Sequence, residues 1–175
     1  MNYFEFYGMP VSFLVNEDEV REKYIELSRK YHPDFFASET EGKQQEVLQL
    51  STLNTKAFQT LSDFDRRMKY ILEIKNLIHE GERYSLPQSF LMDMMEINEA
   101  LMEIKMAPDM SRIAEVESQI NATLDTMNRE IAPVLWDYND NVSAPEVLAK
   151  IKDYYYKKKY LLRIKESLDT FGDSQ

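Results

Sequence analysis

Apolar side chains that recur every three or four residues are the feature of this chain that most limits its fold. Val20, Tyr24, Leu27 and Tyr31 follow one another at spacings of four, three and four. This spacing places the four side chains on one face of an α-helix, and similar rows continue as far as Leu168. Only four glycines and six prolines occur among the 175 residues. Because these two residues are the strongest helix breakers, the pattern predicts an all-α protein.

The charge and composition of the chain exclude several classes of function. A formal net charge of −10 argues against general binding to nucleic acid or to an anionic membrane, since both depend on clustered Lys and Arg. The chain has no cysteine, which excludes a disulfide, a thiol nucleophile and a Cys-ligated metal or cluster. The N-terminus has no signal-peptide pattern, and no apolar run approaches the ~20 residues of a membrane span. We therefore expect a cytoplasmic protein with no cofactor and no bound metal.

The first half of the chain is predicted to form a helical hairpin. Asn16 is a good N-cap for a first helix, and Pro33 ends that helix because the residue before a proline is disfavoured in the α conformation. A polar loop over residues 37–42 leads to a second helix that starts near Lys43, and residues 66–77 form one more short helix. Helices joined by a short loop usually pack antiparallel. The inner side of the second helix is predicted to consist of Val47, Leu50, Asn54, Ala57, Phe58 and Leu61.

The second half of the chain is predicted to be a separate three-helix bundle. Residues 1–77 are assigned to the first domain, residues 78–86, which have no apolar period, to a linker, and residues 87–175 to the bundle. Pro108 separates the first bundle helix from the second, and Ser143 is the predicted N-cap of the third. The apolar seam of the first bundle helix is predicted to be Phe90, Met94, Ile97, Leu101 and Ile104.

A His-Pro-Asp motif, residues 32–34, lies between the two hairpin helices. Proline restricts the backbone, so His32 and Asp34 are presented on a stiff loop, and a carboxylate held in this way suits an arginine partner. A lone histidine at a helix end is more often a solvated or capping residue, so the tripeptide alone is weak evidence for function. A catalytic dyad is disfavoured, because side chains two apart around a proline diverge and no motif supplies a serine nucleophile.

The surroundings of this motif resemble a J-domain, which is a two-helix hairpin with a His-Pro-Asp loop. Besides the motif, the resemblance rests on Arg29, Lys30, Tyr31, Asn54, Ala57, Phe58, Leu61 and Asp63. It implies that His32, Pro33 and Asp34 engage the ATPase domain of a heat-shock chaperone and trigger nucleotide hydrolysis there. The positive contacts of the helix would come from Lys23, Arg29 and Lys30, for which a solvated helix face is the competing interpretation.

The chain as a whole is similar to the HscB family. This likeness is carried by Tyr3-Phe4 with Gly8 and Pro10, the segment Tyr31 to Ala37, Leu61-Ser62-Asp63 with Arg67 and Tyr70, and Phe90-Leu91-Met92 at the start of the bundle. The resemblance implies a co-chaperone that is not itself an enzyme. Such a protein would deliver an iron–sulfur cluster scaffold protein of the IscU type to a chaperone ATPase of the HscA or DnaK type.

The first bundle helix has a wider apolar surface than its seam requires. By family resemblance, the scaffold-binding patch would consist of Leu91, Met92, Met95, Glu96 and Glu99, joined by Tyr154 from the last helix. The run of three tyrosines at 154–156 leaves open which of them takes part. Methionine is common on surfaces that bind partners, but rows of methionine also fill gaps in a core. Two alternatives remain open: a J-domain protein with a different client, and a structural helical protein in which the motif is fortuitous.

Overall fold

The computed structural model describes residues 1–173, and within that range the protein is built from helices and turns without any strand. The prediction of an all-α fold is confirmed. The α-helices within residues 1–173 are α1 Tyr3–Tyr7, α2 Glu17–Lys30, α3 Glu41–Leu61, α4 Phe64–Ile74, α5 Gln88–Asp93, α6 Met95–Met106, α7 Met110–Asp137 and α8 Pro145–Gly172.

The helices are divided between two compact units. The first unit contains residues 1–79 together with residues 138–143, and the second contains residues 80–137 together with the chain from Ala144 onward. Helices α1 to α4 therefore belong to the first unit, and α5 to α8 belong to the second.

Part of the predicted linker packs against α8 in the second unit. The ring of Tyr84 stacks on that of Tyr156 with centroids 4.3 Å apart, and its hydroxyl donates to Asp153 (3.1 Å). Two residues earlier, Glu82 Oε1 lies 3.1 Å from Lys152 Nζ. These contacts anchor residues 82–84 to α8. The division of the chain into residues 1–77, 78–86 and 87–175 stays a prediction.

Helices α2 and α3 form the antiparallel hairpin of the first unit. Asn16 caps α2 as predicted, since its Oδ1 accepts the N–H of Asp18 at 3.0 Å. The ring of Tyr24 stacks on that of Phe58 with centroids 4.4 Å apart. The inner row of α3 is buried at Val47, Asn54, Ala57 and Leu61 and half-buried at Leu50 and Phe58.

The side chain of Asn54 joins three helices in the centre of this unit. It is 1% exposed, and its Nδ2 donates to the carbonyl of Tyr24 and to the hydroxyl of Ser28, both at 3.0 Å. Its Oδ1 accepts the hydroxyl of Tyr7 from α1 at 2.9 Å. Burial raises the pKa of Tyr7, which keeps this hydroxyl protonated as the donor. One buried amide thus links α1 and α2 to α3.

A buried arginine holds the corner between α3 and α4. Arg67 Nε donates to the carbonyl of Phe13 at 2.9 Å, and Nη1 donates to the carbonyl of Leu61. Burial lowers the pKa of Arg67, but the two carbonyls satisfy donors that would otherwise be orphaned in the core. The corner itself is made by Asp63, whose Oδ1 accepts the N–H of Arg66 at 2.8 Å and caps α4.

Two helix boundaries in the first unit differ from the predicted ones. Helix α3 begins at Glu41 rather than near Lys43, because Thr40 is the N-cap and its hydroxyl accepts the N–H of Lys43. Helix α4 covers Phe64–Ile74 rather than 66–77, since Asp63 starts it earlier and Asn76 adopts a left-handed conformation (φ 57°) after its end.

Two local predictions for the bundle were wrong. The first bundle helix is divided at Met94, whose N–H approaches the carbonyls of both Met92 and Phe90 in a tightened turn. Ser143 does not cap α8, because its hydroxyl accepts the N–H of Asn139 (2.8 Å) and so stabilises the preceding turn. The N-cap of α8 is Ala144, which forms no side-chain cap.

The predicted seam of the bundle is confirmed in spite of this break. All five of its residues are buried, and they pack with apolar residues of α7 and α8 in one core. The α7 and α8 members of that core are Ile113, Val116, Ile120, Leu124, Leu161, Ile164 and Leu168.

We predict that Asn54→Ala lowers the free energy of unfolding of the first unit by about 3 kcal/mol, because it removes the side chain that accepts from the Tyr7 hydroxyl and donates to the carbonyl of Tyr24 and the hydroxyl of Ser28. Urea denaturation followed by circular dichroism measures this change. Asn141→Ala, at an exposed turn position, is the control and should shift stability by less than about 0.5 kcal/mol. Equal stability of the two variants would contradict the assigned role of Asn54.

Candidate functional site

The His-Pro-Asp motif lies at the end of the hairpin, where Pro33–Phe36 form a 3₁₀ turn. The backbone N–H of Tyr31 still donates to the carbonyl of Leu27 (2.9 Å) as α2 ends. Phe35 then donates its N–H to the carbonyl of His32 at 3.1 Å and closes the turn. A turn that follows a helix directly leaves little freedom at its first residue, so the motif is held close to the end of α2.

The imidazole of His32 caps this turn. Its Nδ1 accepts the N–H of Asp34 at 3.3 Å. A ring nitrogen that accepts a hydrogen bond carries no proton in neutral imidazole, so the proton lies on Nε2. No residue in the range 1–173 binds Nε2. The ring is thus oriented by its own backbone and keeps one N–H donor available to another molecule.

The carboxylate of Asp34 is open to solvent, with 87% of the side chain exposed. Its Oδ2 lies 3.7 Å from His32 Nδ1, which is too long for a hydrogen bond. The two side chains therefore do not form the hydrogen-bonded pair of a catalytic dyad. Both carboxylate oxygens remain available to a guanidinium group, which is the geometry that bidentate arginine binding requires.

Phe35 is a candidate contact residue that the sequence analysis missed. Its side chain is 73% exposed, and its ring centroid lies 5.6 Å from that of His32. Phe36 is half-buried instead. Two consecutive phenylalanines give no sequence signal for which ring faces the protein, so only the turn geometry identifies Phe35 as the exposed one.

The segment after the turn is secured by Gln44 of α3. Its Nε2 donates to the carbonyl of Ala37 at 3.1 Å and to that of Glu39 at 2.9 Å. These bonds tie the connection between the turn and α3 to the helix itself. The sequence carried no signal for this role, because a glutamine on the first turns of a helix is usually solvated.

The three predicted basic residues of α2 lie in different environments. Lys23 is partly neutralised, since its Nζ lies 3.1 Å from Glu26 Oε2. Arg29 and Lys30 are exposed in the last turn and form no ion pair within residues 1–173. Lys30 Nζ lies 5.3 Å from the centroid of the Tyr31 ring. The charge next to the motif is therefore provided by Arg29 and Lys30 more than by Lys23.

The structure places five of the predicted client residues on the exposed surface of α5 and α6. Leu91 is partly exposed, and Met92 and Met95 are 60% and 57% exposed. Glu96 and Glu99 are exposed as well, and neither forms an ion pair with any described residue. Large apolar side chains without cover, next to unpaired carboxylates, are typical of a surface that binds a partner.

Tyr154 lies elsewhere. Its ring is 5% exposed, and its hydroxyl donates to Asn128 of α7 at 2.5 Å. Tyr160 of α8 reaches α6, since its hydroxyl accepts Nδ2 of Asn98 at 2.8 Å. Its ring also packs edge-on against Phe90, with centroids 5.6 Å apart. Tyr160 is therefore the aromatic residue of α8 next to the face that carries Leu91, Met92 and Met95, and the sequence analysis missed it.

No helix within residues 1–173 is both long enough and apolar enough to span a membrane. The same residues bring together no three His, Asp or Glu side chains in a position to hold a metal ion.

Two known families match this chain, one in its N-terminal half and one in its C-terminal half. Residues 2–70 match the DnaJ domain, which is the J-domain. Residues 86–169 match the HSCB C-terminal oligomerisation domain. The first match contains the His-Pro-Asp motif, and the second contains the exposed face of α5 and α6.

Individual relatives match over nearly the full chain. The HscB co-chaperone homolog of Shewanella amazonensis is 34% identical over 161 residues, which cover 87% of this chain and 90% of that protein. Among solved structures, HscB of Vibrio cholerae has a TM-score of 0.69 at 25% identity, with 99% of both chains covered. Human co-chaperone HscB has a TM-score of 0.74 at 26% identity, with 97% of this chain and 81% of the human chain covered. On this evidence the chain belongs to the HscB family of J-domain co-chaperones.

Proposed function

We propose that this protein stimulates the ATPase of a heat-shock chaperone of the HscA or DnaK type and delivers to it an iron–sulfur cluster scaffold protein of the IscU type. The observation that carries the proposal is the solvent-exposed His-Pro-Asp motif, held at the end of a hairpin whose helices are joined by Asn54. Residues 1–77 act as the J-domain in this account, and residues 87–175 act as the client-binding bundle.

The geometry of the motif suits the docking of another protein. Asp34 offers two carboxylate oxygens to an arginine of the chaperone, and His32 offers its Nε2–H. Because the turn is held by its own hydrogen bonds, little conformational entropy is lost when the motif is bound. Arg29 and Lys30 speed the encounter with an acidic chaperone surface, since complementary charge acts mainly on the association rate.

The exposed face of α5 and α6 binds the scaffold protein. Leu91, Met92 and Met95 supply apolar area, and Glu96 and Glu99 supply charge at its edge. Tyr160 takes the place first assigned to Tyr154, because its hydroxyl bonds Asn98 of α6. Binding both proteins on one chain raises their effective concentration, which couples capture of the client to ATP hydrolysis.

We predict that His32→Gln lowers the stimulation of the chaperone ATPase at least about tenfold, which corresponds to the loss of an interaction worth ~1.4 kcal/mol. A steady-state ATPase assay with purified chaperones of the HscA and DnaK types measures this effect. His79→Gln, the same substitution at the other histidine of the chain, is the matched control and should stimulate as wild type does. Full stimulation by His32→Gln would contradict the proposed role of the motif.

We also predict that the double variant Leu91→Ala, Met95→Ala weakens binding of the scaffold protein by about tenfold to a hundredfold, since it removes much of the exposed apolar area. Its stimulation of the chaperone ATPase without the scaffold should not change. Isothermal titration calorimetry with purified scaffold protein tests the first point. Met106→Ala, at an exposed methionine near the far end of α6, is the control. If only the control weakened binding, the client surface would lie elsewhere.

A further inference from the structure

A groove of about 550 Å³ separates α5 and α6 from α7 in the second unit. Phe90, Met94, Ile97 and Met127 form its apolar part, and Gln119, Ala122, Thr123 and Thr126 of α7 form one wall. The threonine hydroxyls of that wall donate to carbonyls of their own helix, one turn earlier. The wall therefore has few free polar groups, and the space is larger than a single side chain needs.

A second depression, of about 240 Å³, lies between α7 and α8 and shares Met127 and Lys157 with the first. Tyr154 lines the second depression and Glu96 lines the first. The two depressions therefore adjoin at Met127 and Lys157, with one residue of the predicted client patch in each.

The charges in the groove are unbalanced. Asp93 and Glu96 line it, and neither forms an ion pair among the described residues. Lys157 lines the same groove, and its Nζ lies 2.7 Å from Asp153 Oδ2 and 5.5 Å from the centroid of the Phe90 ring, whereas Lys150 lines the adjoining depression. The charge of Lys157 is already compensated, which leaves an excess of negative charge beside an apolar floor.

Two other cations near this surface are also occupied. Arg112, which is close enough to interact electrostatically with Glu96, has its Nη1 2.7 Å from Glu115 Oε2. Lys158 lies over the ring of Tyr154, at 6.0 Å from its centroid. Among the described residues, neither Asp93 nor Glu96 therefore has an ion-pair partner of its own, and Arg112 acts on Glu96 while paired with Glu115. Lysine and arginine fit such a groove, because their aliphatic stems cover apolar surface while their charged ends reach the carboxylates.

We propose that this groove takes a basic segment of the client, so that the client contact extends from the exposed face of α5 and α6 onto the neighbouring wall of α7. The inference rests on the proposed function, since the client is the iron–sulfur scaffold protein bound by Leu91 and Met95. With this groove, α7 becomes part of the binding surface, and the client segment that it takes is positively charged.

Ala122 provides a direct test, because it lies on the exposed wall of the groove and both lysine and glutamate are good helix formers at such a position. We expect Ala122→Lys to weaken the affinity for purified scaffold protein at least about tenfold, since its ammonium group repels a basic segment. Ala122→Glu should bind as well as wild type or better at low salt, with a steeper loss of affinity as salt is raised. Isothermal titration calorimetry at two salt concentrations measures both effects.

The matched controls are Ala114→Lys and Ala114→Glu, which make the same changes on the same helix at an exposed position outside the groove. These should alter affinity by less than about threefold, as expected for remote surface charges. Thermal melting of each variant establishes that the bundle is folded.

Three results would overturn the inference. An unchanged affinity for Ala122→Lys shows that the client does not enter the groove, and equal weakening by lysine and glutamate shows an apolar occupant. In the first case, loss of binding by the double variant of Leu91 and Met95 shows that the proposed function stands although the groove is not part of the client contact. If the wild-type protein binds no scaffold at all, the proposed client fails, and this inference fails with it.

Discussion

The buried amide of Asn54 is the interaction on which the first unit depends. It donates to α2, accepts from α1 and belongs to α3, so the positions of three helices are set by one side chain. Apolar packing alone would tolerate a helix that slides by one turn, since the stripes of both helices repeat. A buried polar group does not tolerate such a slide, because any shift leaves its donors or acceptors unsatisfied in the core. The register of the hairpin, and with it the location of the His-Pro-Asp motif, follows from this constraint.

Stiffness at the motif comes from a different set of bonds. His32 caps the 3₁₀ turn on its own backbone, and Gln44 ties the segment that follows to α3. These contacts use the Nδ1 side of the imidazole and leave its Nε2–H, the carboxylate of Asp34 and the ring of Phe35 to solvent. A site with this division needs no rearrangement of its own to bind a partner. The structure thus explains how a J-domain co-chaperone can present a short motif to a partner chaperone.

The sequence predicted the features that depend on local periodicity and capping. The hairpin, the cap at Asn16 and the buried seam of the bundle follow from spacing and residue type, which the local backbone decides. The sequence could not predict which of the three consecutive tyrosines at 154–156 is buried. Together they cover more than half of the helix circumference, so contacts with other helices decide it. Asn128 binds Tyr154 and draws it into the α7 side, whereas Asn98 binds Tyr160. The prediction that Ser143 caps α8 was wrong for a related reason, because its hydroxyl instead accepts a hydrogen bond within the turn before α8.

The most direct test of the account is hydrogen–deuterium exchange at the amides of residues 34–36, measured with and without the ATP-bound chaperone. If the chaperone docks on the His-Pro-Asp motif, exchange at these amides should slow upon its addition, while exchange on the exposed face of α5 and α6 should slow only when the scaffold protein is added. Unchanged exchange at residues 34–36, under conditions in which the chaperone ATPase is fully stimulated, would contradict the central claim.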